Sequence, residues 1–213
     1  MSGEAAAGHG HAAHGEWECE PTPFKASWPK VMMWWFLIGD AVLFGSLLVA
    51  YGFNRVAAPA WLPQDKVFSM NFITVMTFTL ITSSATMATA VAASRAGDRK
   101  NACLFTMLTA VGGIAFLGMQ VYEWWHMIGH HGARLTVGPK LEGFPDVPAF
   151  SAYFFMITGF HGSHVLSGVF ILLYTGFNAL RGRNGPEGVE LAGLYWHFVD
   201  LVWVFVFGTY YLI

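Results

Sequence analysis

Six ionisable side chains stand inside apolar runs of this 213-residue chain: Asp40, Glu123, His161, His164, His197 and Asp200. An ionisable group at bilayer depth is costly, so each asks for a partner or a part in proton movement. Asp40 lies about nine residues into its run, roughly 14 Å from one edge, and Asp200 lies at a similar depth in the last run. His161 lies roughly 16 Å from the opposite edge. These three are expected to meet near the midplane, with His164 and His197 sharing a level slightly nearer the first edge. Glu123, three residues after Gln120, falls near the outer end of its run.

Packing accounts for part of this set. His161 and His164 suit hydrogen-bonded core histidines. Asp40 and Asp200 suit structural partners of those histidines better than direct catalysts, because a carboxylate alone in hydrocarbon simply holds a proton. Asp40 is expected inside the bundle, bonded to at least one histidine of the fourth run. There it would lock the helices in register, with proton storage the second option. His9, His11 and His14 form a short segment of the kind that usually just titrates in water, so no metal site is assigned. Cys19 and Cys103 make neither a disulfide framework nor a metal-type spacing and are read as free thiols.

The elements that must hold these groups are membrane spans. A span needs about 20 apolar residues, and five runs qualify: residues 31–53, 68–93, 102–125, 150–180 and 191–213. The expected fold is an all-α integral membrane bundle of five helices, split by a lipid cleft between spans one–two and spans three–five. Residues 1–28 form a polar, partly disordered tail and 29–213 a single membrane domain. The first run is too long for a signal-peptide core and reads as a retained anchor. Continuous rather than alternating apolarity excludes a β-barrel.

Composition agrees with lipid as the solvent. Apolar residues make up 55% and charged residues 11%, against about 25% charged in soluble domains. A net charge of −2 leaves no basic surface for nucleic acid. Lys25, Lys30, Arg95, Arg99, Lys100, Arg181 and Arg183 lie on one side, and Arg55, Lys66, Arg134 and Lys140 on the other. That balance puts the N-terminus in the cytoplasm and the C-terminus in the periplasm. Arg55, Arg95, Arg181 and Arg183 are placed to reach lipid headgroups by charge-assisted bonds. Gly159, Ser163 and Ser167, with Gly168 beside them, make a small-residue stripe on which another helix can approach. Thr82-Ser83-Ser84-Ala85-Thr86 offers a second.

Four stretches, in order, resemble the subunit III family of cytochrome c oxidase and the related quinol oxidases. They are Gly97-Asp98-Arg99-Lys100, the pair Gln120 and Glu123, the run from Phe154 to Val165 (Phe-Phe-Met-Ile-Thr-Gly-Phe-His-Gly-Ser-His-Val), and Tyr195-Trp196-His197-Phe198-Val199-Asp200-Leu201-Val202-Trp203 with the Tyr210-Tyr211 end. With the first-run segment Met33-Trp34-Trp35-Phe36-Leu37…Asp40-Ala41-Val42-Leu43-Phe44, the resemblance extends, in order, over residues 31–213. Two departures stand out. Asp40 replaces the family's usual glutamate, one methylene longer, and the first two helices of seven-helix members are absent, as in compact bacterial forms.

The resemblance implies a subunit with no catalytic centre, haem or copper of its own, in the bacterial inner membrane. It implies haem and copper in partner subunits, packing on oxidase subunit I, and neighbours in subunit II and a small subunit IV. It further implies bound phospholipid, support for proton uptake, protection against turnover-dependent inactivation, and a place in a larger respiratory supercomplex as an option. Three rivals stay open at this stage: an accessory subunit of nitric oxide reductase, a membrane cytochrome with His164 and His197 on a haem, and a small proton-coupled transporter.

Overall fold

The computed structural model describes residues 27–140, 144–182 and 185–212, apart from the side chain of Asp65. The tail histidines, Cys19, Lys25 and Arg183 lie outside the described residues. Six helices follow one another: α1 Trp28–Ala57, α2 Gln64–Val67, α3 Met70–Arg95, α4 Arg99–His131, α5 Pro148–Leu180 and α6 Pro186–Val206. A π-helical turn, Phe207–Leu212, continues α6 to the end of the described chain. All but α2 are long and apolar enough to cross a membrane, which makes five spans.

Local chemistry sets the helix ends. α1, α5 and α6 each carry a proline in the first turn, where a missing N–H costs nothing. The link between α3 and α4 is short because Gly97 takes a left-handed φ of 80°, which a residue without Cβ adopts freely. Asp98 then caps α4 by accepting from the Asn101 N–H at 3.1 Å. α4 continues past its expected end at Trp125 to His131. Its histidines do not break a helix, and the stop comes only at Gly132. Thirty-three residues make a rod of about 50 Å, longer than a hydrocarbon core of about 30 Å.

The core is organised around α6, the most enclosed span. Trp196, Trp203 and Tyr210 recur every seven residues and are all buried. Each sends its polar edge to another helix: Trp196 Nε1 donates to Ser83 Oγ at 3.1 Å, Trp203 Nε1 to Thr77 Oγ1 at 3.1 Å, and Tyr210 OH to the Phe150 carbonyl at 2.7 Å. The Trp196 ring fits because Gly113 on α4 and Gly168 on α5 leave room for it. A Cβ at Gly113 would lie 2.5 Å from Trp196 Cη2 and one at Gly168 3.0 Å from Trp196 Cε3.

The expected grouping of spans one–two against three–five is not how the helices pack. α3 lies along α4 and α6, while α1 rests on α5 and α6 with little contact to α3. The reason lies in the side chains. α3 brings Thr77 and Ser83 to the α6 tryptophans, and Ser83 meets the bare backbone of Gly112 on α4. α1 instead presents Trp34, Trp35, Phe36, Ile38 and Val42 outward. The stripe of small residues also divides. Gly159 faces Trp124 on α4, Ser167 and Gly168 face Tyr195 and Trp196 on α6, and Ser163 stays exposed.

Gly113→Val should lower the melting temperature in detergent, because overpacking a filled contact costs about 1–3 kcal/mol. Gly118→Ala, on the same helix with nothing within 4 Å of its missing Cβ, should match or slightly exceed the parent. A thermal melt followed by circular dichroism compares the two.

Candidate functional site

The ionisable groups of the sequence do not gather in one place. Asp40 on α1 is 8% exposed, and its Oδ1 lies 3.2 Å from His164 Nε2 on α5. The other ring nitrogen, His164 Nδ1, is 2.9 Å from the Phe160 carbonyl oxygen. A carbonyl only accepts, so Nδ1 carries a hydrogen. Nε2 then faces Asp40 either as a lone pair meeting a protonated carboxyl or as an N–H⁺ meeting a carboxylate. In both cases the pair holds one exchangeable proton between Oδ1 and Nε2 and has no net charge. Tyr195 OH closes the cluster from α6, donating to the His164 carbonyl at 3.1 Å and lying 2.7 Å from Ser167 Oγ. Asp40 Oδ2 has no hydrogen-bond partner among the described residues.

His161, one turn earlier on α5, is fully buried but lies apart from both aspartates. Its ring sits among the rings of Trp203 at 5.1 Å, Phe116 at 5.6 Å and Phe44 at 6.4 Å. Neither ring nitrogen has a hydrogen-bond partner among the described residues. The expected meeting of Asp40, His161 and Asp200 is therefore not found. Depth along a helix sets a level, but rotation about the axis decides the neighbour, and these side chains point into different seams.

Asp200 belongs to a second cluster, between α3 and α6. His197 Nδ1 lies 2.6 Å from Ser84 Oγ, and Asp200 neighbours the same serine and histidine. Ser84 was visible in the sequence only as part of a small-residue run, although a hydroxyl in lipid also seeks a hydrogen-bond partner. With both nitrogens of His164 engaged and His197 turned to α3, the two histidines do not present a ligand pair for one haem iron.

Gln120 and Glu123, one turn apart on α4, do separate work. Gln120 Nε2 donates to the Thr158 carbonyl on α5, and Gly162 leaves the space this amide fills. Trp124 Nε1 donates to Thr158 Oγ1 at 3.1 Å, joining the same two helices. Glu123, 7% exposed, accepts from Tyr211 OH at 3.2 Å, while its Oε1 has no partner among the described residues. The π-helical turn at the end of α6 brings consecutive Tyr210 and Tyr211 to different partners, a role the sequence pattern did not reveal.

The arginines divide as well. Arg55 Nη1 donates to Tyr51 OH at 3.1 Å. Arg95 pairs with Glu190 at 3.1 Å, and Lys30 meets the same carboxylate at 3.0 Å. That trio links α1, α3 and α6 at one end of the bundle. Arg181 is exposed at the end of α5.

The cytochrome c oxidase subunit III family matches residues 15–213. Quinol oxidase subunit 3 of Bacillus subtilis is 31% identical over 209 residues, which cover 95% of this chain and 96% of that one. Cytochrome c oxidase subunit 3 of Bacillus sp. strain PS3 is 35% identical over 182 residues, 84% and 83% of the two chains. Cytochrome c oxidase subunit 3 of Alkalihalophilus pseudofirmus is 32% identical over 184 residues, 84% of each.

The enclosure of His161 generates a test. A buried polar group without a partner costs about 1–3 kcal/mol, so His161→Phe should melt at or above the parent temperature. His161→Ala should lose about 3 kcal/mol by opening a cavity among the rings. Chemical denaturation in mixed micelles measures both.

Proposed function

Because this chain belongs to the cytochrome c oxidase subunit III family, we propose that it packs on the catalytic subunit of its oxidase, holds phospholipid against its first span, and sustains proton uptake through many turnovers. It is a multi-pass bacterial membrane protein and a non-catalytic subunit of a haem-copper oxidase complex. We further propose that the enzyme is of the cytochrome c oxidase type, with the N-terminus of this chain cytoplasmic. Fuller coverage of the quinol oxidase relative favours a quinol-fed complex as the second reading. Oxygen uptake by the purified complex with reduced cytochrome c against quinol separates the two.

The observation that carries the proposal is the Asp40–His164 pair. Like the Asn54–Tyr153 hydrogen bond, it links α1 to α5 through polar groups, with one proton shared between Oδ1 and Nε2. Beside it, α1 and α6 enclose two almost wholly apolar hollows of about 300 and 270 Å³, which share Ala41, Phe198 and Leu201 in their walls and together run from Trp34 and Leu194 to Leu48 and Phe205. Their shape and lining suit acyl chains. In this proposal the lipid lies between spans one and five, a position that the helix packing and the groove support over one between spans one–two and three–five. Arg181 and Arg183 remain the proposed headgroup contacts, since Arg95 is engaged by Glu190.

In this reading Asp40 and His164 hold α1 at the spacing that keeps the groove open. Removing one partner of a buried pair costs about 3–5 kcal/mol, while an amide keeps both shape and hydrogen bonding. Asp40→Asn should stay in the purified complex at parental stoichiometry. Asp40→Leu should be retained less, carry less phospholipid, and shorten the active lifetime of the enzyme during turnover. Subunit stoichiometry and lipid phosphorus, followed against accumulated turnovers, check this. Parental values for both variants would remove Asp40 from the proposal.

A further inference from the structure

Where α4 outruns the hydrocarbon it carries three histidines that take no part in the clusters above: His126, His130 and His131. His126 and His130 are four residues apart and so share one face of the helix. Their ring centroids lie 4.5 Å apart with planes inclined by 31°. The His131 ring is 5.7 Å from that of His126. His130 is exposed, and His126 and His131 are partly so. Neutral imidazole is a good ligand for Zn²⁺, Cu²⁺ and Ni²⁺, and two histidines at this spacing on a helix are the arrangement by which a helix grips such an ion. The last turn of a helix also carries partial negative charge, which favours a cation there.

A second observation points to the same spot. His126 lines a pocket of about 180 Å³, together with Ser69, Tyr122 and Glu123. Glu123 is 7% exposed and its Oε1 has no hydrogen-bond partner among the described residues. The pocket therefore has a buried acid and an imidazole in its lining, and the imidazole stands on the helix face that carries His130.

We propose that His126 and His130 form a two-imidazole site for a divalent transition-metal ion of the Zn²⁺ class at the end of α4. Among the described residues no three metal-binding side chains converge on one point. The site is thus an open chelate completed by water, unlike the closed four-ligand sites that hold structural zinc. An ion held there borders the pocket that Glu123 lines.

Copper(II) is the probe. It is added at one equivalent to the full-length chain in detergent micelles, with His9, His11 and His14 changed to Gln so that the tail cannot bind. Electron paramagnetic resonance should show coupling to two imidazole nitrogens. His126→Gln or His130→Gln should leave one and weaken binding by more than the about 10–100-fold that follows loss of a mere supporting partner. His131→Gln should change it less. Parental coupling in the His126→Gln/His130→Gln double variant would overturn the proposal, as would failure of the tail-substituted chain to bind. A measurement without variants guards against misfolding: Zn²⁺ should shield His126 and His130 of the assembled oxidase from acylation by diethyl pyrocarbonate. Unchanged labelling of both would also overturn the site.

Discussion

Trp196, Trp203 and Tyr210 do in lipid what an apolar core does in water. Between helices in a bilayer no hydrophobic force operates, because the surrounding tails are as apolar as leucine. Association rests on close contact and on hydrogen bonds that the solvent cannot supply. The aromatic column of α6 provides both at each step. A broad ring face fills the space left by glycine or by a small side chain, and the polar edge ends on a hydroxyl or carbonyl of a neighbouring helix. The helices packed closely on α6 owe their places to this column.

α1 obeys a different rule. It has few close contacts with the bundle and exposes most of its large side chains. It is tied at three levels by polar groups: Lys30 to Glu190 at one end, Asp40 to His164 near the middle, and Asn54 to Tyr153 at the other end. A helix held this way keeps its distance, which leaves the apolar groove between α1 and α6 that the proposed lipid would fill. The close-packed part of the molecule and the tethered part divide the labour of rigidity and solvation.

Much of this architecture could be read from residue order. Five runs of sufficient length specified five spans, but the level of Asp40 pointed to His161, whereas its carboxylate meets His164. The rest depended on azimuth. Whether Asp200 faces Asp40 or Ser84 turns on a rotation of α6 by less than half a turn, which hydrophobicity hardly records when every side is apolar. His161 illustrates the same limit: its depth was legible, but its ring cage comes from Phe116 and Trp203 on two other helices. Tyr211 reaches Glu123 only because the last turn of α6 is wound as a π-helix, and no spacing rule for an α-helix would have aimed it there. Span two was misgrouped because its serines and threonines were weighed as small residues instead of as acceptors for tryptophan N–H groups.

The two halves of the Asp40–His164 pair are made at different times. They stand 124 residues apart in the chain, so at about 5–20 residues per second His164 is synthesised some 6–25 s after Asp40. Through that interval the first span sits in the membrane with an aspartate that costs about 2.5–3.5 kcal/mol at the middle of a helix during insertion. Leu37, Phe44 and the tryptophans around it must offset this cost alone. The strong apolarity of α1 thus serves the nascent chain as well as the finished fold, since it keeps the helix in the bilayer until its histidine arrives.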